Sequence, residues 1–517
     1  MTKRRFPLSN PRRRIAAGLA AFALATSCAL SDAAAQGWPG FGGDAQHTGN
    51  STAPAQSLDR IRWQMPVDLD PPTTSRDRPV HYGSPVITPA NTVVVPVKLS
   101  KFGGFQVEGH SGADGTLLWT MVSDYLLPPH GWTPSFNPVL SPDGRVYFPG
   151  GGGTLMVRNS PDAPDGTVGK VAFYGIAWFL KNPVAFYTSI MINTPLTADA
   201  EGNIFFGFQV IRANPLGLVS GLARLDVNGG GASISALFAS GNDPSIKKVA
   251  HNAAPALSPD QKTVYVTVTD ANGLGFGNGY LVALDAETLT PLRRIRLKDP
   301  TSGRDAFLVE ASTSSPTVGP DGAVFVGVIE DPFGKNHGRG WLLQFDGTLA
   351  NAKVPGLFGW DATATIVPTS AVPFYTGLAE YLVMTNYNDY AKLRGSGVSQ
   401  LAILDPTFPA KDLDTGATVM REVTTTQNPT PDPEFVSRLP RARREWSVTS
   451  AVLDPATTSI IAGSEDGRLY RWNLTTATIE QSITLGPGGN QSYSPTVIGP
   501  DGTVYAINGS ILYAVGE

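Results

Sequence analysis

One loop of the sequence carries residues suited to acid–base chemistry and anion binding. Glu330 and Asp331 open it, and it continues as Pro-Phe-Gly-Lys-Asn-His-Gly-Arg. Neighbouring charges can tune the pKa of a carboxylate to that of a general base, so Asp331, Glu330 and His337 are the candidate catalytic residues. Lys335 and Arg339 could hold an anion and are candidate ligand-binding residues. The alternative interpretation is a solvated polar turn.

The six histidines are few enough for their positions to be informative. Three of them, His81, His130 and His251, stand shortly before segments that we expect to be inner strands. Imidazoles and carboxylates that meet in a semi-enclosed channel suit acid–base chemistry or metal binding. The alternative is that they are hydrogen-bonded spacers between neighbouring repeats. The candidate ligand-binding residues of this group are His81, His130, Trp132, His251, Glu310 and Trp446, the last of which follows Glu445.

Several other chemistries find no support in the sequence. No His-x-His or His-Glu-x-x-His spacing occurs, so no metal site is predicted. The four glycines at 150–153 lack the Lys-Ser/Thr of a phosphate loop, and no Gly-x-Ser-x-Gly precedes a helix. Cys28 is the only cysteine, which excludes disulfides, and its expected removal with the leader also excludes a thiolate site or a cysteine nucleophile from the mature chain.

The elements that would position these residues are repeated hairpins. Residues 494–506 contain an apolar run, a Pro-Asp-Gly turn and an alternating run, which is the pattern of a tight antiparallel hairpin. Residues 315–326 and 137–148 repeat this pattern closely. Looser copies bring the number of starts to eight, which predicts a repeat array. The starts lie near residues 84, 137, 194, 254, 315, 370, 450 and 494.

Composition and repeat spacing favour an all-β fold. The chain has 56 Gly, 43 Pro and 16% charged residues, which suits short strands and turns. We predict an eight-bladed β-propeller of four-stranded antiparallel blades, in which residues 61–65 supply the missing strand of the last blade. Most neighbouring starts are separated by more residues than the roughly 40–45 that a bare four-stranded blade needs. The surplus predicts a loop-rich face around the central channel.

The N-terminus has the features of an export signal. Basic residues up to Arg14 precede an apolar stretch, and alanines occupy positions 33–35. We expect cleavage after Ala35, leaving a single domain of residues 36–517 in the bacterial periplasm or secreted. The apolar stretch falls short of the roughly 20 residues of a spanning helix, so no transmembrane span is predicted. Cys28 lies in a poor lipoprotein box, and a membrane tether is expected only if it is lipidated.

The charge of the mature chain argues against nucleic acid as a partner. Loss of residues 1–35 removes six basic residues and one acidic residue, which leaves 33 against 42 and a formal charge of -9. A mildly acidic surface repels phosphate backbones. The expected partner is a small molecule or a protein that binds at the channel mouth.

The segment after the expected cleavage site carries a resemblance to a known family. Residues 38–50 read Trp-Pro-Gly-Phe-Gly-Gly-Asp-Ala-Gln-His-Thr-Gly-Asn. This resembles the Trp-Pro-x-Phe-x-x-Asp-x-x-His-Thr-Gly opening of the pyrroloquinoline-quinone-like (PQQ-like) β-propeller repeat family. Together with the hairpins, the resemblance covers nearly all of the mature chain. It implies the fold more than the function, because the family includes dehydrogenases, assembly factors and other enzymes.

Three functions remain open under this resemblance. The quinoprotein dehydrogenases carry tryptophan-docking motifs and, in one group, a vicinal cysteine pair; residues 112–119 match the motif only in part and the cysteine pair is absent. We therefore expect neither PQQ nor calcium as cofactor. The second function is a binding scaffold similar to the propeller lipoprotein of the outer-membrane barrel-assembly machinery. The third is a cofactor-independent hydrolase similar to tetrathionate hydrolases. The prediction is ligand or partner binding at the loop-rich face without quinone, with the hydrolase as the alternative.

Overall fold

Eight small antiparallel sheets contain nearly every strand of the chain. The structure, a computed structural model, describes residues 37–71, 83–100, 103–129, 136–271, 275–310, 314–447, 450–488 and 495–517. In each sheet a short inner strand pairs with a longer second strand, and the third and fourth strands follow outward. This arrangement confirms the predicted eight-bladed β-propeller.

Strand β1 (Arg60–Pro66) precedes the first four blades, which follow in chain order. In blade 3 both β10 and β11 pair with β12, and in blade 4 both β15 and β16 pair with β17. Blade 1 contains β2 (Val86–Ile87), β3 (Thr92–Ser100), β4 (Gly103–Ser111) and β5 (Leu117–Ser123); blade 2 contains β6 (Val139–Leu140), β7 (Val146–Pro149), β8 (Thr154–Arg158) and β9 (Val168–Ala172); blade 3 contains β10 (Ile190–Ile192), β11 (Thr197–Ala198), β12 (Ile204–Val210), β13 (Gly221–Leu225) and β14 (Gly231–Ser235); and blade 4 contains β15 (Lys248–Val249), β16 (Ala256–Leu257), β17 (Thr263–Thr269), β19 (Gly279–Asp285) and β20 (Pro291–Arg296).

Blades 5 to 8 continue the series, and a two-stranded sheet lies outside it. That sheet pairs β18 (Phe276–Gly277) with β21 (Leu308–Val309). Blade 5 contains β22 (Thr317–Val318), β23 (Val324–Val328), β24 (Trp341–Phe345) and β25 (Gly356–Leu357); blade 6 contains β26 (Thr365–Pro368), β27 (Tyr381–Asn388), β28 (Ser399–Lys411) and β29 (Thr418–Gln427); blade 7 contains β30 (Val452–Asp454), β31 (Ser459–Gly463), β32 (Arg468–Asn473) and β33 (Thr478–Thr484); and blade 8 contains β34 (Val497–Ile498), β35 (Val504–Asn508) and β36 (Ile511–Gly516).

Helices are short and lie in the connections between strands. The described α-helices are α1 (Ile176–Lys181), α2 (Pro183–Tyr187) and α3 (Ala236–Ala239), and the 3₁₀ turns are Gly151–Gly153, Thr369–Ala371 and Ala391–Leu393. The inner strand of blade 6 begins at Thr365, earlier than the expected start at Ser370, because Ser370 lies in the 3₁₀ turn that follows this strand. The other inner strands begin close to the expected positions.

The fourth strand of blade 8 comes from the N-terminal part of the chain. Strand β1 pairs antiparallel with β36, with Ile61 opposite Val515 and Met65 opposite Leu512. The sheet order is therefore β1-β36-β35-β34. Residues of blades 7, 8 and 1 share one buried apolar cluster, which contains Leu469, Tyr505 and Val95.

Polar side chains also bond neighbouring blades to each other near the start of the inner strands. The Ser84 amide donates to Asn137 Oδ1 at 2.6 Å, and the Ala254 amide donates to Ser315 Oγ at 2.9 Å. The Ser315 amide in turn donates to Thr363 Oγ1 of the next blade at 3.0 Å. The Ser and Asn residues that mark the repeat starts therefore act as bridges between blades.

The segment of residues 37–50, called the N-terminal segment below, lies along the inner strands of the ring. Its carbonyl oxygens accept hydrogen bonds from inner-strand amides of six blades, with N to O distances of 2.7 to 2.9 Å. The donor and acceptor pairs are Ile87 to Trp38, Leu140 to Pro39, Leu257 to Ala45, Val318 to Gln46, Ile366 to Thr48 and Leu453 to Gly49. The family-like motif thus has a structural role in this chain.

The backbone shape of the N-terminal segment depends on particular residues of the motif. Asp44 Oδ1 accepts from the amides of Gln46 and Thr48 at 3.0 and 2.9 Å, which fixes the turn. His47 is fully buried, and its Nδ1 lies 2.8 Å from the Pro316 carbonyl, which can only accept, so Nδ1 carries the proton. Gly49 has a φ of 70°, and a Cβ there would lie 2.9 Å from the Ala451 carbonyl oxygen.

Substitution of His47 by alanine is expected to destabilise the protein by about 3 kcal/mol. The change leaves a cavity and removes the donor to a buried carbonyl, each of which costs on the order of 1–3 kcal/mol. Urea unfolding followed by intrinsic fluorescence measures the loss. Leu413→Ala is the control, because Leu413 is 98% exposed; an equal effect of both changes would contradict the structural role of the segment.

Candidate functional site

The two ends of the inner strands present different chemistry. In six blades the N-terminal segment bonds to residues at or near the end of the inner strand, such as Leu140, Leu257 and Val318. The residues that precede each inner strand lie at the opposite end, because all inner strands run in the same direction along the channel. We call this opposite end the channel mouth. The candidate residues His251, Glu310 and Trp446 all lie in these preceding segments.

The structure brings two of the predicted ligand-binding residues together. The His251 backbone amide donates to the Glu310 carboxyl group, and Lys248 Nζ donates to Glu310 Oε2. All three residues are buried. Burial raises the pKa of Glu310, although the ammonium group of Lys248 opposes this effect. His81, His130 and Trp132 lie outside the described residues.

A second group of acids lies at the mouth between blades 5, 6 and 7. Asp361 is buried, and burial raises its pKa to about 7, although Asn386 Nδ2 donates to its Oδ1 at 3.5 Å. Burial, together with the negative charges of Glu465 and Asp361, raises the pKa of Glu445 to about 8. These two carboxyl groups are therefore substantially protonated at neutral pH.

Asn386 presents an unsatisfied acceptor beside these acids. The residue is fully buried in strand β27, and its Oδ1 atom has no hydrogen-bond partner among the described residues. A buried polar atom without a partner costs on the order of 1–3 kcal/mol. An unpaired acceptor next to two carboxyl groups is suited to a ligand that supplies positive charge or hydrogen-bond donors.

Trp446 has a structural role beside the acidic residues, because its side chain is buried and offers no free surface to a ligand. Its ring is fully buried and packs edge-on against Tyr470 with 5.3 Å between ring centres. Its backbone amide and carbonyl both bond to the Asn388 side chain at 3.3 Å. Trp446 thereby fixes the position of the adjacent Glu445.

The loop of residues 329–340 is organised by Glu330. Its Oε1 accepts from the amides of Gly334, Asn336 and Gly338, and its Oε2 accepts from the amide of Gly340 at 3.0 Å. The carboxylate is buried inside its own loop. This geometry gives Glu330 a structural role, and the predicted catalytic role stays untested.

The other predicted residues of this loop have different partners. Asp331 Oδ2 lies 3.1 Å from Arg304 Nε, whereas His337 Nδ1 lies 3.0 Å from Asp389 Oδ1. The structure therefore does not pair His337 with Asp331 as a base. The buried Arg339 donates to Asn336 Oδ1 at 2.8 Å and approaches Asp412, while Lys335 is exposed.

One cluster in this region has ligand atoms close enough for a metal ion. Single ligand atoms of His337, Asp389 and Asp414 all lie within 4.8 Å of one another. Arg339 Nη1 lies 3.5 Å from Asp414 Oδ2, so a guanidinium group competes for that carboxylate. Sequence spacing could not reveal this cluster, since its members come from two different loops and a hairpin tip.

The sequence indicated only some of the acidic residues at the channel mouth. Glu445 stands next to the predicted Trp446, but Asp361 was missed because the start of blade 6 was placed at Ser370. With the strand start at Thr365, Asp361 lies in the segment just before the inner strand of blade 6, as Glu310 lies in the segment before β22. Asn386 had no sequence signal, because it is one of many polar residues in an ordinary strand.

Comparison with known proteins supports the fold. No protein-family model matches the sequence, and no curated protein matches it. Among solved structures, a europium-containing methanol dehydrogenase aligns with a TM-score of 0.53 and 10% identity over 91% of this chain and 89% of its own. The quinohemoprotein alcohol dehydrogenase of Comamonas testosteroni gives 0.49 and 12% over 93% and 77%, and BamB from Moraxella catarrhalis gives 0.44 and 13% over 89% and 99%.

The fold defines the class of this protein and leaves the particular protein open. The chain is an eight-bladed β-propeller, and the structures named above are propellers of the PQQ-like type. At 10% identity, the likeness with a TM-score of 0.53 supports the fold alone. Within the described residues, no helix is long and apolar enough to span a membrane.

Replacing Glu330 by alanine is expected to cost about 3 kcal/mol of unfolding free energy, because four loop amides, three of them in buried residues, lose their acceptor. Asp331→Ala is the matched control and should cost less than about 1 kcal/mol, because its partner Arg304 is largely exposed. Urea unfolding measures both. Similar costs for the two changes would contradict the role of Glu330 in ordering the loop.

Asp361→Asn is expected to stabilise the protein at pH 8 and to have little effect at pH 4. A folded-state pKa of about 7 lies above the unfolded value, so the stabilising contribution of this group is complete below about pH 4 and is lost as pH rises to about 7. Asparagine does not titrate and should add up to about 4 kcal/mol at pH 8. Urea midpoints measured from pH 4 to pH 9 test this; a gain independent of pH would contradict it.

Proposed function

We propose that this propeller is a binding protein whose ligand carries a positive charge and is held at the channel mouth by Asp361, Glu445 and Asn386. The observation that carries the proposal is the buried Asn386 Oδ1, which lacks a partner among the described residues beside Asp361. A cation would satisfy this acceptor and compensate both carboxylates. The ligand group is either an inorganic cation or an ammonium group, since both offer the same charge to oxygen atoms.

The same site is poorly suited to PQQ. The quinone carries three carboxylates and needs cationic side chains around it. Asp361, Glu445 and Glu465 lie in this part of the mouth, where the nearby Arg444 is paired with Glu465, and Lys248 is already engaged by Glu310. We therefore retain the proposal of a ligand site without quinone. The hydrolase alternative gains no support, because the geometry of the 329–340 loop provides no aligned acid–base pair between Asp331 and His337.

We also keep export as part of the proposal. The basic and apolar pattern of residues 1–35 supports delivery to the periplasm or the outside of a bacterial cell. An exported propeller would meet inorganic cations, amines and basic proteins, and the acidic mouth suits each of them. Nucleic acid remains excluded from the proposed partners by the negative charge of the chain.

Isothermal titration with calcium chloride and with 1,4-diaminobutane tests the site. The first probe is a metal ion, and the second is a diamine whose two ammonium groups stay largely charged over the pH range used. At least one is expected to bind, and binding should tighten as pH rises from 6 to 9, because Asp361 and Glu445 must lose protons first. The heat should depend on the buffer, which reports the released protons.

Two variants give the test its controls. Asp361→Asn combined with Glu445→Gln should weaken binding at pH 8 by about tenfold or more, which is about 1.4 kcal/mol. Glu287→Gln changes an exposed acid in a turn at the other end of the strands and should leave binding unchanged. Absence of binding by both probes, or equal binding by the double variant, would overturn the proposal.

A further inference from the structure

Within the part of the chain that the structure describes, blades 3 and 8 lack the bond that the N-terminal segment makes to the inner strands of the other six blades, and blade 3 is the one with a cavity at that place. In an antiparallel ladder, alternate residues donate to the same neighbouring strand. In blade 2 the Ser141 amide donates to Arg145 of the same blade, so the preceding Leu140 amide faces the channel and donates to Pro39. Blade 4 repeats this with Ser258 and Leu257.

Blade 3 has the same strand geometry without the second bond. The Asp199 amide donates to the Asn203 carbonyl at 3.0 Å within the blade, which turns the preceding Ala198 amide toward the channel. No carbonyl of the N-terminal segment accepts from it. Among the described residues, the Ala198 amide has no acceptor outside its own sheet. The N-terminal segment bonds to blade 2 through Pro39 and resumes at blade 4 through Ala45.

A cavity occupies the place where this bond would be. Its volume is about 460 Å³, which lies within the range of small-molecule sites. Ala198 lines it together with the apolar side chains of Phe41, Leu140 and Leu196. The cavity lies at the end of the inner strands opposite the channel mouth, so it is separate from the acidic site.

The polar groups around the cavity restrict the ligand. A free amide requires an acceptor, and the carbonyl groups that fill this role at six other blades are neutral peptide carbonyls. Asp44 and Asp199 also line the cavity, and their carboxylates would repel an anionic acceptor. The apolar walls favour a ligand with a hydrocarbon group of limited size.

We propose that this cavity is a second ligand site, which binds a small neutral amide whose carbonyl accepts a hydrogen bond from the Ala198 backbone amide and whose apolar group packs against Phe41, Leu140 and Leu196. The ligand takes the position that the N-terminal segment occupies at the neighbouring blades. This site is independent of the cation site, and failure of either proposal leaves the other intact.

Ligand-observed saturation-transfer NMR tests the proposal with N-acetyl-L-leucine methylamide as the probe. N-acetyl-L-leucine is the matched control, because it differs by a carboxylate at neutral pH. The amide is expected to give a saturable signal, and the acid a signal weaker by roughly fivefold or more, because of the nearby carboxylates.

Variants assign the signal to this cavity. Ala198→Leu should obstruct the cavity from within, and Ala200→Trp should obstruct it from an exposed rim position that tolerates a large side chain. Either change should reduce the amide signal by roughly fivefold. Ala456→Leu, at an exposed turn residue of blade 7, should leave it unchanged. Equal signals from amide and acid, or a wild-type signal in Ala200→Trp, would overturn the proposal.

Discussion

The ring depends on the hydrogen bonds between the N-terminal segment and the inner strands. An inner strand of a propeller exposes an edge to the channel. The backbone amides that face the channel would lack partners if the channel held only apolar side chains. Residues 38–49 satisfy these amides at blades 1, 2, 4, 5, 6 and 7. The buried His47 adds a bond to the Pro316 carbonyl of blade 5. One stretch of chain therefore holds together blades that are hundreds of residues apart in sequence.

This arrangement makes the two ends of the channel chemically different. At one end the backbone amides are largely paired with the N-terminal segment, and a cavity remains where blade 3 lacks that pairing. At the other end, side chains instead of backbone groups meet, and Asp361, Glu445 and Glu310 are all raised in pKa by burial. Burying carboxyl groups costs free energy unless they are neutral or compensated by a cation. The buried carboxyl groups thus give the channel mouth the electrostatic properties of a ligand-binding site, whereas the paired backbone amides give the opposite end a structural role.

The loop of residues 329–340 illustrates how residues of catalytic type can serve a fold. Glu330, Asp331, His337 and Arg339 stand within ten positions of one another, which suggested a catalytic group. In the structure each of them has a separate partner: four loop amides for Glu330, Arg304 for Asp331, Asp389 for His337, and Asn336 with Asp412 for Arg339. Proximity in sequence did not produce proximity of the functional atoms, because a loop of this length can point its side chains in several directions.

The division between local and tertiary information follows the range of the interactions. Ser-Pro runs, Pro-Asp-Gly turns and alternating strands are set within about ten residues, so seven of the eight hairpins and third strands such as Arg468–Asn473 could be predicted from the sequence. Blade 6 was misplaced because its inner strand, Thr365–Pro368, is not preceded by Ser-Pro. The approach of Glu445 to Asp361, the unpaired Asn386 and the unmatched amide of Ala198 arise only when distant repeats pack around one axis. Sequence patterns reflect interactions between residues that are close in the chain. A site at the centre of a ring contains residues that are far apart in the chain and come together only when the protein folds.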